Sequence, residues 1–315
     1  MANSAQDDGG AIFNASAGRL IIQNSIFARH LAEDQGGAIR NIHGDIKIGN
    51  SRFMSNTADL GGAIYTGGGN IFISDSSFLE NLAQHGGAIL NNDGDLVIDT
   101  SKFSGNSVQG RGGAIDNLND EAVIQNSRFV DNTSELGGAI SNWNAEMAID
   151  NSSFVENSAE YGGAVRNRDG EMTIENSSFT RNLANQWGGA IRNLDSDMDI
   201  DSSKFEENSA AYGGAIRSLS GETAINNSIF MNNRAQHSGG AILNFAGEMI
   251  IEGSTFAENS ATGPGAAIGN FEGIATVQSS LFLENEPDTC RGVECASQPG
   301  GGATPRIGAS DLPQS

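Results

Sequence analysis

The sequence predicts an all-β fold: a single-stranded, right-handed parallel β-helix of about eleven coils, each of 25–26 residues with three short strands. Three observations predict it. A Gly-Gly-Ala-Ile motif recurs, and its aliphatic residue can be followed through Ile12, Ile39, Ile64, Ile89, Ile115, Ile140, Val165, Ile191, Ile216, Ile242 and Ile268. A phenylalanine recurs in phase with it, from Phe27 and Phe53 through Phe154, Phe179 and Phe205 to Phe282. Between these landmarks stand Gly, Asn, Asp and Ser, which form turns, and no segment is long enough for a helical crossover. Eleven units stacked at the inter-strand spacing of about 4.8 Å make a rod roughly 50 Å long. A right-handed coil is the expected hand for parallel crossovers.

The unit from Gly162 to Ala184, GGAVRNRDGEMTIENSSFTRNLA, shows the elements in order. Gly162-Gly163 makes a corner where a Cβ would crowd the backbone or demand an unfavourable dihedral. The first strand, GGAVRN, sends Val165 into a narrow core. The second alternates apolar Met172 and Ile174 with polar neighbours. The third begins at Phe179 and runs to the asparagine three residues on. Two asparagine columns result, one through Asn142, Asn167 and Asn193 and the other through Asn157, Asn182 and Asn208. Thr66 and Ser218 substitute in the first column, and His30 stands at the head of the second. Stacked amides are expected to hydrogen-bond along the rod and to satisfy buried turn groups. A serine two residues before each Phe makes a third column, and the Phe side chains stack on their own kind.

Composition narrows the function. The 315 residues include 39 acids and 17 Lys or Arg, a net charge of −22. Such a surface repels phosphate backbones and anionic membranes, so no nucleic-acid partner is expected. No apolar run approaches a membrane helix, so no transmembrane segment is expected in this chain. The opening MANSAQDDGG has no signal-peptide character. The repeats enter a coil at Gly9 after only eight residues, whereas a solenoid needs caps. The chain is therefore expected to be a fragment, or its terminal coils to be capped by missing sequence or self-association. The β-helix repeats are assigned to residues 1–286. Residues 287–315, rich in Pro, Gly and Ser, are expected to be a disordered tail pinned by a Cys290–Cys295 loop.

The in-phase pairing of GGA(I/V) with Phe-x-x-Asn, the latter in ten of the eleven units, resembles the passenger repeats of chlamydial polymorphic outer-membrane proteins and related bacterial β-helix proteins. The resemblance covers about nine tenths of the chain. It implies a secreted or cell-surface, outer-membrane-associated protein, in several members an adhesin. The shared motifs are structural, so no catalytic residue follows from them.

Candidate sites must lie in what varies between coils. Tyr161, Trp187 and Tyr212 occupy one position in successive units, and Arg166, Arg192 and Arg217 each follow the motif's aliphatic residue. Rings against sugar faces with Arg against carboxylates would make a glycan or partner-binding stripe. The alternative is corner packing, with the arginines paired to acids such as Asp169 and Glu171. A second column, Asp45, Asp95, Glu121, Glu146, Glu171, Asp197, Glu222 and Glu248, either recruits Ca²⁺ or forms a solvated edge that keeps the rod soluble. Asp197, Asp199 and Asp201 form the densest acidic set, and alternation puts them on the solvent side of Met198 and Ile200. No cofactor beyond Ca²⁺ is indicated, and the four histidines lack metal-ligand spacing. The expected function is a non-enzymatic extracellular or surface scaffold for adhesion or for protein or glycan contact. The alternative is a polysaccharide-active lyase or hydrolase of pectin-lyase-like β-helix type, which would concentrate its site in one or two coils.

Overall fold

The computed structural model describes residues 2–295, all strand and turn with no helix. Every pairing among the described residues is parallel, the three main faces pair in register, and the stacked sheets form a β-solenoid of about eleven turns. The first face runs from Ile12–Asn14 through Val165–Arg168 to Ile268–Phe271. The second runs from Leu20–Gln23 to Ile274–Gln278, and the third from Ile26–Ala28 to Leu281–Leu283.

The core is narrow because strands of three to five residues leave room for only one or two inward side chains each. Phe53 through Phe256 are fully buried on the third face. Successive rings lie 4.7–5.0 Å apart with planes within 8° of parallel, an offset stack. The motif's Ile or Val column and the second-strand Ile column close the other two sides.

The corners explain how the strands turn. Asn151, Asn176, Ser202 and Asn227 hold left-handed backbone between the second and third faces. Glu156, Arg181, Glu207 and Asn232 hold it after the third. Asn tolerates that conformation, whereas Glu and Arg adopt it at a cost of about 1 kcal/mol each. At the next corner Gly162 has φ +68°, and a Cβ on Gly163 would meet the Gly189 carbonyl oxygen and the Leu183 backbone of the following coil. Ala266 replaces this second glycine in the eleventh unit, where the chain that follows is the turn at Asp288.

The polar columns are buried hydrogen-bond ladders. Asn157 donates from its backbone N–H (3.0 Å) and Nδ2 (3.0 Å) to Asn182 Oδ1, and Asn182 repeats the pattern to Asn208 (2.9 and 3.0 Å). Each Nδ2 also reaches back to a phenylalanine carbonyl, as Asn182 does to Phe154 (3.0 Å). In the other column Asn142 Nδ2 donates to Asn167 Oδ1 (2.9 Å), and Asn167 to Asn193 (3.0 Å). The serines link coils too: Ser177 Oγ accepts from Ser152 N–H (3.1 Å) and donates to Glu175 O (2.7 Å).

The interruptions have a consequence. Ser218 bonds Thr223 (3.0 Å), which stands where the coils before and after carry Met198 and Met249. Asn244 Oδ1, the next acceptor up the ladder, is left buried without a partner. Thr66 and Asn91 show the same defect. An unmet buried acceptor costs about 1–3 kcal/mol. The double substitution Ser218→Asn with Thr223→Met restores both columns and is expected to raise the urea midpoint, by about 1–2 kcal/mol of stability. A lowered midpoint would show that the Ser218–Thr223 pair is the better solution.

Two features extend the expected three strands per coil. A fourth face forms as a five-stranded sheet through Ser158–Tyr161, Leu183–Trp187, Ser209–Tyr212, Arg234–Ser238 and Ser260–Ala261. In the earlier coils it is reduced to two-residue pairs and single bridges. Its register shifts between Ala159 and Tyr161 and again before Trp187, which swings those rings outward. Regular pairing also runs past residue 286. Cys290–Arg291 adds a twelfth strand on Ile268–Gly269, and Cys290 and Cys295 are disulfide-bonded. Residues 296–315, the rest of the segment expected to be disordered, lie outside the described residues.

Candidate functional site: an arginine and aromatic stripe

The first face has inward Ile and Asn and an outward residue between them. Register places Asp116, Ser141, Arg166, Arg192, Arg217 and Leu243 in one outward column. Tyr161, Trp187, Tyr212 and Ser238 form the adjoining column at the end of the fourth face. A third column lies beyond the asparagines: Trp143, Arg168, Leu194, Leu219, Phe245 and Phe271. The arginine column is the floor of a groove, and the other two are its walls.

The corner after the fourth face folds the rings over the guanidinium groups. Arg192 Cζ lies 4.8 Å from the Tyr161 ring centre and 4.6 Å from that of Trp187, and Arg217 Cζ lies 4.5 Å from Trp187 on its other side. The Tyr161 and Trp187 rings are tilted at 49°, 5.0 Å apart. Four residues of the predicted stripe, Tyr161, Trp187, Arg192 and Arg217, therefore pack together, while Arg166 continues the arginine column and the Tyr212 ring packs on His237 at 4.6 Å.

Burial makes the charges unusual. Arg166 is 4% exposed and Arg192 9%. Arg166 Nε and Nη1, Arg192 Nε and Arg217 Nη1 are buried with no hydrogen-bond partner. Among the described residues none of the three is ion-paired. The predicted alternative partner Asp169 pairs instead with Arg168 at 3.0 Å and accepts from Trp143 Nε1 at 3.2 Å. Glu171 is exposed and outside the groove. Burial lowers the pKa of all three arginines. Arg192 falls to about 10, pulled down first by desolvation and then by repulsion from Arg166 and Arg217. Cation–π contact offsets part of this cost, about 2 kcal/mol when desolvated. Further along the floor, Arg111 Nε meets the fully buried Asp116 at 3.1 Å, and desolvation holds that carboxyl above its usual range.

Sequence reading missed the far wall. Trp187, Tyr212, Arg217, Ser238, Leu243, Phe245 and Phe271 line an open cavity of about 380 Å³. The signal was an outward position, directly after the motif asparagine, occupied by Leu194, Leu219, Phe245 and Phe271.

The acidic column lies on the second face. Its eight members are exposed, and Glu171, Asp197, Glu222 and Glu248 rim a shallow depression of about 230 Å³. Asp197 Oδ1 accepts the Glu222 N–H at 2.7 Å. Asp199 and Asp201 project outward beside buried Met198 and Ile200. Among the described residues no group of three His, Cys, Asp or Glu is arranged to hold a metal ion, and no helix is long and apolar enough to cross a membrane.

The model of the Chlamydia polymorphic membrane protein repeat matches residues 100–117 and 227–244. With the parallel solenoid, that match fits a β-helix repeat protein similar to the polymorphic membrane proteins. No curated protein matches the chain. A solved structure described as a new PL6 alginate lyase complex with trisaccharide superposes with a TM-score of 0.44 at 11% identity. That superposition covers 93% of this chain and 88% of the other, and at such similarity it carries no argument.

Proposed function

We propose that this β-helix repeat protein is a non-enzymatic surface scaffold that displays one contact face, the arginine and aromatic stripe, for adhesion to a protein or glycan partner. Regularity supports the reading most. Successive coils differ by no more than two residues in length, so no long loop gathers acids and bases into a unique reacting constellation. What does vary is outward chemistry, and its largest aromatic and cationic concentration lies between Tyr161 and Phe271.

Incubation with pectin and alginate is expected to release neither unsaturated nor new reducing ends, and steady turnover would overturn the reading. Binding to the partner surface is expected to fall about tenfold or more for Trp187→Ala with Tyr212→Ala, the loss typical of truncated aromatic anchors. Unchanged binding would remove the stripe as the contact face.

A further inference from the structure

We infer that the groove over Arg166, Arg192 and Arg217 recognises an acidic glycan, one whose sugar rings carry carboxylates, laid along the rod axis with its end sugar in the cavity beside Phe245 and Phe271. The assignment rests on the scaffold reading and names the ligand class for the same face.

The chain has 39 carboxylates against 17 Lys and Arg, so acids to neutralise three arginines are plentiful. None is ion-paired with them: Asp116 and Asp169 lie near enough to act on Arg166 but are taken by Arg111 and Arg168. Three cations on adjacent rungs repel one another, and their buried nitrogens lack acceptors. A ligand bringing carboxylates along this column supplies the missing charge, and it meets Arg217 first, the least buried of the three and the one that lines the cavity. Charge-assisted bonds of this kind are the strong ones, and a guanidinium takes a carboxylate through two parallel N–H donors.

The walls separate a sugar from other acids. Phe245 and Phe271 on one side are flat apolar surfaces of the kind that pack against the C–H face of a pyranose, and Trp187 and Tyr212, whose rings already pack on Arg192, Arg217 and His237, close the other side. Ser238 adds a hydroxyl at the same level, and Arg217 lines the cavity where it opens onto the arginine floor. A run of Asp or Glu residues would bring carboxylates to the arginines but no rings to the walls. The overall charge of −22 repels any polyanion at a distance, so recognition must come from contact in the groove, with little electrostatic steering.

The test is isothermal titration of the whole chain with polygalacturonate, alginate and hyaluronate, with methyl-esterified polygalacturonate and poly-glutamate as comparisons. At least one uronate polymer is expected to bind, with affinity falling about tenfold or more when its carboxylates are esterified or when Arg217→Met or Arg192→Met is introduced. Both variants keep the aliphatic stem and remove an unpaired buried charge, so their melting temperatures should hold or rise. No heat with any of the three polymers overturns the assignment, as does equal affinity for poly-glutamate or undiminished binding by both melting-competent variants. Binding to cells without any uronate binding removes the glycan assignment and leaves the scaffold reading. Release of unsaturated ends during titration does the reverse.

Discussion

Phe179→Ala is expected to cost about 3–5 kcal/mol, the range for emptying a buried aromatic site. Phe179 is fully buried, with Phe154 at 4.7 Å and Phe205 at 4.8 Å on its two faces. The cavity cannot close easily, because each neighbouring ring is fixed by its own strand in register. The change should also alter the shape of unfolding. Each coil touches only the coils beside it, so stability propagates through nearest-neighbour interfaces. A defect at the seventh of eleven coils weakens two of these at once. Urea denaturation followed by circular dichroism should give a lower midpoint and a broader or two-step transition. A loss below about 1 kcal/mol would mean that the ring column contributes little cohesion.

Asn182→Leu is expected to be comparably severe, although it preserves volume. Asn182 Oδ1 accepts both donors of Asn157, and its Nδ2 serves Phe154 O and Asn208 Oδ1. Leucine leaves the Asn157 N–H and the Phe154 carbonyl without these partners in a dry interior. At about 1–3 kcal/mol for each stranded group, the loss is roughly 2–6 kcal/mol. Hydrogen exchange offers the sharper check: the Asn157 amide should lose protection before amides two coils away. Equal protection in both places would argue that water enters and replaces the side chain.

Much of this architecture was legible because its neighbours are one period apart. Residues i and i+25 or i+26 lie on adjacent rungs, so aligning the repeats shows the ladders directly. The Phe and Asn columns are of this kind. What the alignment conceals is which outward positions meet across a corner. Tyr161 and Arg192 lie 31 residues apart in different columns, and their contact depends on the register shift in the fourth face. That shift has no motif of its own. The corner after the third face was equally hidden. Its left-handed residues include Glu156, Arg181 and Glu207, which carry no turn signature and are held by the ladder asparagine that follows each. The Phe245 and Phe271 wall was visible as composition but not as a cavity, because only the geometry brings it opposite Trp187 and Tyr212.

The in-register stacking of the three main faces has a consequence for how such a rod can change over generations. Excising residues 162–187 would join Tyr161 directly to Gly188, and each ladder would find its next rung of the same chemistry. Duplication of a coil would be equally silent, lengthening the rod by about 4.8 Å. A one-residue insertion within a strand is the opposite case, since it would turn inward side chains outward. Whole-coil recombination is therefore the mutational step that this fold accepts most readily. It sets the length of the rod, and the number of arginine rungs it presents, without disturbing how any single coil is built.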